Sequence, residues 1–439
     1  MISNFAEAQA YLLQTIDEVV SPRTSYKLDR MRALLRELGD PHRAYPTIHV
    51  GGTSGKGSTS TMIAAALYAA GKRTGLHTKP HLHSMTERAR VDGVPIAPER
   101  FASLLNEMLP AIARIASQYG RPTYYETLLA LAFRYFAEER VDVGVIEVGL
   151  GGRLDGTNVV VPVVAAITSI GYDHTDVLGT TLEAIAFEKA GIAKPGVPLV
   201  LAPVLTAARA VIEQRAAEIG APIVHVGDVV RIVREDDANR REQAIRVTTP
   251  HGSYRLRLPV LGIFQLSNAA TAICVLEQLG AELQPSVDDV VRGFSRLDIP
   301  GRMELFATNP AVIFDIAHNT EKAESLVASL RESFPRRRIH YVVAVGESKD
   351  ARRIIEILGS LPATFTFTSF VASGRPAIRP QQLATIAESL GRWGRAIGDP
   401  VEALTVARRM AAIDDVVVVT GSTFIVAGLR EWYMPTAAL

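Results

Sequence analysis

Apolar positions along the chain recur at two periods, 3.6 and 2, and the switches between them mark the elements. Phe5, Ala8, Tyr11, Leu12, Ile16 and Val19 keep helical spacing over residues 4–20, with Ser3 available as a cap. Leu28, Met31, Leu34, Leu35 and Leu38 do so over 26–38, and Gly39 ends that run. Ile48 and Val50 form a short apolar run that meets Gly51, Gly52, Gly55 and Gly57, with Lys56 among them. Met62, Ile63 and Leu67 then follow a helical period that Gly71 closes. The spacing predicts a strand at 73–78 broken by Pro80, helices over 98–118 and 123–139, and strands at 141–148, 163–170 and 197–202. Thr180 and Glu183 stand at capping-box spacing before a helix over 181–190.

Residues 226–260 change character. Charged, alternating segments at 229–234, 244–249 and 254–258 read as antiparallel strands around a turn at Pro250–Gly252. A helix over 267–280 follows, the pattern breaks near 296–302, and a second series begins. It predicts strands at 311–316, 339–345, 364–369 and 415–420, with helices at 320–333, 351–360, 380–391 and 400–411. Helices alternating with β-branched strands imply a mostly parallel sheet covered on both faces. The expected fold class is therefore α/β: a P-loop-containing sheet flanked by helices, then a smaller Rossmann-like α/β domain. The expected domains are 1–297, carrying the antiparallel insert at about 226–260, and 298–439.

The totals narrow the setting. The chain has 439 residues, too many for one ordinary domain, and its 48% hydrophobic and 21% charged residues are usual for a globular protein with a sizeable core. A net charge of +1 gives no overall pull toward nucleic acid or membrane. Cys274 is the only cysteine, which excludes an intrachain disulfide and suits a reducing compartment. Residues 1–10 have no basic flank before an apolar run, and no apolar run approaches the ~20 residues of a spanning helix. A cytoplasmic protein is expected.

The chemistry starts at residues 48–70. A strand, a glycine loop and a helix in that order make a phosphate site: glycines let backbone N–H groups close on an anion, and the helix N-terminus and Lys56 add positive charge. The usual Walker pattern would place glycine at 50 and Ser or Thr at 57, where this chain has Val50 and Gly57. In a parallel sheet ligands sit beyond the carboxyl ends of strands. The segments Gly51–Ser58, Glu147–Arg153 and Asp173–His174 all fall at such ends and should converge. Lys189 on pattern alone reads as solvated, and Asp315 as a possible helix cap. His77, His81 and His83 cluster, but Pro80 interrupts any regular metal-ligand spacing.

Taken together these segments resemble the folylpolyglutamate synthase and dihydrofolate synthase family of Mur-type ligases. The resemblance runs through Leu28–Met31, Leu38–Pro41, Ile48–Ser58, Pro80–Leu82, Glu87–Arg88, Glu147–Asp155, Thr157–Asn158, Asp173–Thr175, Glu188–Ile192, Asn268–Ala269, Gly301–Arg302, Asp315, Ala317–Asn319 and Thr420–Ser422. It implies ATP-dependent amide formation. An acceptor carboxylate is phosphorylated, and the amine of L-glutamate displaces phosphate, the acceptor being a folate or pterin-type carboxylate such as dihydropteroate. By resemblance Gly52, Thr53, Ser54, Gly55, Lys56, Gly57 and Ser58 hold the phosphates, while Asn268, Arg302 and Asp315 reach the ATP. Glu147, His174 and Ser58 bind Mg²⁺, joined by Lys189 if it is carbamylated. Lys56, Lys189, Asp315 and His318 serve catalysis. Lys79, His81, Tyr125, Arg153, Asp155, His318 and Ser422 contact the acceptor or glutamate. The resemblance also implies a monomer without nucleic-acid or membrane partners.

Several positions depart from the family pattern. Lys79 stands in Thr78-Lys79-Pro80-His81-Leu82 where a serine that ligates Mg²⁺ is usual. Either Thr78, Ser58 or water takes over that role, or Lys79 takes part in phosphate neutralisation. Two alternatives stay open beside the folate reading: a Mur-type ligase with another carboxylate acceptor, and a catalytically silent nucleotide-binding homologue.

Overall fold

The structure, a computed structural model, describes residues 2–15, 28–235, 241–372 and 375–433. The chain divides into two compact units, one of residues 1–236, 244–257 and 267–297, the other of residues 237–243, 258–266 and 298–439.

The first unit is built on an eight-stranded sheet of β1 (Thr47–Gly51), β2 (Thr74–His77), β3 (Arg90–Val91), β4 (Val94–Pro95), β5 (Val143–Glu147), β6 (Val164–Ile167), β7 (Leu199–Leu201) and β8 (Ile223–His225). Their order is β4-β3-β2-β5-β1-β6-β7-β8, parallel except for the hairpin β3–β4 at one edge. Every residue of β1 and β5 is buried, as a strand covered on both faces requires. One core gathers Met31, Leu34, Phe101, Leu105, Phe133 and Phe136 from the helices Leu28–Glu37, Pro98–Tyr119 and Tyr124–Glu138. Another joins Val148, Ile167 and Leu199 to Ala186, Ala190 and Ile212 of the helices Leu182–Ala190 and Thr206–Ile219. The helix Lys56–Ala69 packs on Val287–Phe294 at Gly293, where a Cβ would stand 2.6 Å from the Ala65 carbonyl oxygen. A separate sheet, β11-β10-β9, contains β9 (Arg231–Arg234), β10 (Gln243–Thr248) and β11 (Ser253–Leu258). Alternate residues of β11 are buried, which is the period-2 signal that marked it.

Register decides where the site lies. Val50 pairs with Glu147 and Gly51 with Ile167, so β1, β5 and β6 end at one level. The chain leaves β1 toward β2 on one side and β6 toward β7 on the other, which makes this the switch point of the sheet.

The second unit carries β12 (Glu304–Thr308), β13 (Ala311–Phe314), β14 (Ile339–Val343), β15 (Ala363–Phe367), β16 (Gly394–Ala396) and β17 (Val416–Thr420) in the order β12-β13-β17-β14-β15-β16. Only β12 is antiparallel. Its core stacks Tyr341 on Phe365 and Phe365 on Phe367. Among the described residues no helix is long and apolar enough to cross a membrane.

The α/β class and nearly every expected element are present, with local corrections. The first helix is capped by Asn4, whose side chain accepts from the Glu7 N–H, and not by Ser3. That helix is described over Phe5–Leu13; residues 16–20 of its expected span and 26–27 of the next lie outside the described residues. The cap before Leu182 is Thr181, bonded to the Ala184 N–H, so the expected box of Thr180 and Glu183 is one residue out of phase. The helices Thr206–Ile219, Val287–Phe294 and Thr423–Tyr433 and the strands β3, β4, β8, β12 and β16 were not anticipated. Strands of two or three residues, as β3, β4, β8 and β16 are, have too little pattern to read.

Candidate active site

Gly52 to Gly55 form the turn between β1 and the helix Lys56–Ala69, and the end of β6 holds that turn in shape. The Thr168 hydroxyl donates to the carbonyl oxygens of Ser54 at 2.6 Å and Gly51 at 3.1 Å. Ser169 Oγ accepts the Ser54 N–H at 2.8 Å, and Ser169 O accepts the Thr53 N–H. The glycines are required here. Gly55 caps the helix at φ 84°, and a Cβ there would stand 2.3 Å from Asn268 Oδ1; at Gly52, φ 137°, it would stand 2.2 Å from Thr168 Oγ1. Asn268 is thus packed against the turn. Thr168 and Ser169 were missed; their only sequence signal was a position just past an apolar strand.

Three lysines surround the turn. Lys56 Nζ donates to the carbonyl oxygens of Gly52 and Thr53, both at 2.9 Å. Lys189 is buried, not solvated as its pattern alone suggested, and its Nζ donates to the same Gly52 oxygen at 2.9 Å. Two such bonds to one atom hold the two nitrogens within about 6 Å, where two ammonium charges repel by roughly 3 kcal/mol at an effective dielectric near 20. Lys79 is the third. Burial, with the Lys56 charge second, pushes its ammonium down to about 8.

Glu147 is the buried carboxylate that answers them. Its Oε2 accepts the Lys79 backbone N–H at 2.9 Å and would lie 3.4 Å from a Cβ on Gly57. The carboxylate thus lies against the first turn of the helix at Gly57. Ser58 is buried in that turn. His174 is half exposed at φ 50°, its Nε2 3.8 Å from Asp173 Oδ1.

Other expected ligand residues have structural duties. Asp155 accepts four hydrogen bonds from its own chain: Leu150 N–H at 2.7 Å, Thr157 N–H at 2.9 Å, the Thr157 hydroxyl at 2.6 Å and the Tyr125 hydroxyl at 3.1 Å. Arg153 forms a two-pronged pair with Glu188, the residue before Lys189. Since the Thr157 hydroxyl donates to Asp155, His49 Nε2 donates to Thr157 Oγ1 at 2.8 Å, and burial pushes His49 down to about 3. His77 Nδ1 donates to the Arg88 carbonyl at 2.7 Å and burial pushes it down to about 4. His81 Nδ1 accepts from Arg88 Nε at 3.0 Å, and Arg88 lies 5.2 Å over the Tyr124 ring. His77 and His81 thus meet the backbone and side chain of Arg88, while the His83 N–H donates to Glu87 at 2.8 Å; among the described residues no group of three or more His, Cys, Asp or Glu is placed to hold a metal.

In the second unit Asp315 follows β13 and is buried. Its Oδ2 accepts the Met303 N–H and its Oδ1 the Ala317 N–H, both at 2.9 Å. It does not cap the next helix, a duty that falls to Asn319. Burial raises its carboxyl, against the pull of the Arg302 charge and those two N–H bonds. His318 Nδ1 donates to the Ile316 carbonyl at 2.9 Å and its Nε2 accepts from Lys322 at 3.2 Å; burial and that lysine push it down to about 3, so it is neutral at ordinary pH. Ser422 accepts the Phe424 N–H at 3.1 Å just past β17.

A glycine turn that gathers lysines at a helix N-terminus, opposite one buried carboxylate, belongs to proteins that move a phosphoryl group. Residues 50–276 match the Mur ligase middle domain and residues 301–423 the glutamate ligase domain of Mur ligases, which defines the class as a two-domain, Mur-type ligase. A dihydrofolate synthase/folylpolyglutamate synthase of Bacillus subtilis is 34% identical over 435 residues, covering 98% of this chain and 99% of the relative. Folylpolyglutamate synthase of Mycobacterium tuberculosis, solved with ADP, superposes with a TM-score of 0.89 at 30% identity over 98% of both chains. E. coli FolC, solved with DHPP and ADP, gives 0.86 at 30% identity over 98% of this chain and 97% of that one. The chain belongs to the folylpolyglutamate synthase/dihydrofolate synthase family, and it is an ATP-dependent ligase.

Proposed function

We propose that the protein joins L-glutamate to a folate or dihydropteroate carboxylate through an acyl phosphate, releasing ADP and phosphate. The observation that carries this reading is the pair of lysines, Lys56 and Lys189, on the one Gly52 oxygen. Lys56 and the helix N-terminus make this turn positive, and a nucleoside triphosphate supplies the matching anion.

In this scheme the turn 52–58 and Lys56 hold the β- and γ-phosphates, and Asn268 packs where a Cβ on Gly55 would stand. The acceptor carboxylate oxygen attacks the γ-phosphorus and the bond to ADP breaks. The glutamate nitrogen, after losing a proton, attacks the acyl carbon and phosphate leaves. Phosphoryl transfer asks the protein for position and charge more than for covalent chemistry. Mg²⁺ suits the site without a cluster of side chains, because it takes one or two carboxylates plus phosphate oxygens. Glu147 and Ser58 would hold it, and when bound it neutralises charge on the transferred group. Lys189, buried with its Nζ on the Gly52 oxygen, is the amine we assign to reaction with CO₂. We assign it as a carbamate; intact-mass measurement on protein kept in bicarbonate, with and without acid treatment, checks this, and an unmodified mass in both overturns it. In the second unit Arg302 and Asp315 are assigned to the nucleotide, and neutral His318 and Ser422 to glutamate. The decisive assay is phosphate release with Mg²⁺-ATP and glutamate across dihydropteroate, tetrahydrofolate and unrelated carboxylates. Turnover only with an unrelated carboxylate, or nucleotide binding with no turnover at all, refutes the assignment.

A further inference from the structure

Lys79 brings a further charge into the surroundings of Lys56 and Glu147. Among the described residues its ammonium takes part in no hydrogen bond or salt bridge; only its backbone N–H is engaged, with Glu147 Oε2 at 2.9 Å. That same oxygen would lie 3.4 Å from a Cβ on Gly57, so a single carboxylate oxygen separates Lys79 from the first turn of the phosphate helix. The charges of Lys56, Glu147, Asp155 and Arg88 act on the ammonium. Arg88 in turn holds His81 and covers the Tyr124 ring.

A partly buried cation beside another cation is unfavourable unless an anion is delivered to both. The nucleotide turn already has Lys56 for the phosphates near it. We propose that Lys79 is a catalytic residue whose ammonium binds the γ-phosphoryl group during its passage to the acceptor carboxylate. It acts as a built-in second cation beside Lys56. This rests on the ligase reading above, and it makes Lys79 specific for the terminal phosphate, not for the acceptor.

The test compares ADP with AMPPCP, which differ in that phosphate, by calorimetric titration at fixed Mg²⁺. Wild type should prefer AMPPCP. Lys79→Met should keep ADP affinity within about threefold while weakening AMPPCP by at least roughly tenfold, the scale of one charge-assisted hydrogen bond. Lys79→Arg should recover part of the preference. ADP affinity reports that the turn is folded; if Lys79→Met loses it, the same ratio is read on Lys79→Gln, which keeps a polar stem. An AMPPCP-to-ADP ratio unchanged in the charge-removing variants overturns the proposal, and a raised acceptor KM with that unchanged ratio moves Lys79 to acceptor binding. Wild-type protein that binds neither nucleotide overturns the ligase reading instead, so the two failures are distinct.

Discussion

Gly52→Ala strikes the phosphate turn where its backbone has least freedom. At φ 137° an alanine is strained by itself, at about 1–3 kcal/mol. Its Cβ would also stand 2.2 Å from Thr168 Oγ1 and 3.0 Å from the backbone nitrogens of Thr168 and Ser169. To make room the hydroxyl must leave its bonds to the Ser54 and Gly51 carbonyls, at about 1 kcal/mol each. The total is roughly 3–5 kcal/mol, a large part of the ~5–15 kcal/mol that holds a domain folded. Because Gly52 O is also the seat of Lys56 and Lys189, ADP affinity should fall at least about tenfold. Urea unfolding and ADP titration of Gly52→Ala, Thr168→Ala and the double variant give the answer. Removing the hydroxyl removes the worst contact, so the double variant should be more stable than the sum of the singles by at least about 1 kcal/mol. Additive losses, or wild-type ADP affinity in Gly52→Ala, would show that Thr168 does not shape the turn.

His49 and His77 are buried with folded values of about 3 and about 4, below the ordinary 6.5, so between those limits the unfolded chain binds more protons. Their contribution is complete above pH 6.5 and is lost as pH falls toward 4, each adding a slope of up to ~1.4 kcal/mol per pH unit. Urea midpoints measured from pH 7.5 to 4.5 check this, and His77→Gln should flatten the slope. Asp155→Asn should cost about 2 kcal/mol or more, because an amide NH₂ would face donors from Leu150, Thr157 or Tyr125; an unchanged urea midpoint would contradict its place in that network. Arg302→Ala removes a charge that holds the Asp315 carboxyl down against burial. The acid limb of kcat/KM should then move to higher pH while the melting temperature changes little.

The elements were legible because β1, β5 and the 56–69 helix carry strong periods between glycines, and the second series kept its order from β13 onward. The phosphate turn was legible too, since glycine and lysine advertise their use through backbone freedom and charge. Side chains held by internal polar bonds were not. The resemblance implied Asp155 and Arg153 at the acceptor or glutamate. Yet Asp155 has four internal donors and Arg153 is held by Glu188. Thr168 and Ser169 went unnoticed for the converse reason: a hydroxyl that braces a carbonyl looks in sequence like any loop residue. The same physics explains Lys189. Helical spacing placed it near a glycine at the end of a helix, where lysine is usually solvated, and only the packing of that helix under the loop 149–158 buries its amine on Gly52 O. The positions where sequence and structure part are therefore those where one oxygen is shared. Gly52 O serves two lysines, and Glu147 Oε2 serves Lys79 while lying against Gly57. Sharing of that kind depends on register between strands far apart in the chain. It is what turns a glycine-rich loop into a site charged for phosphate.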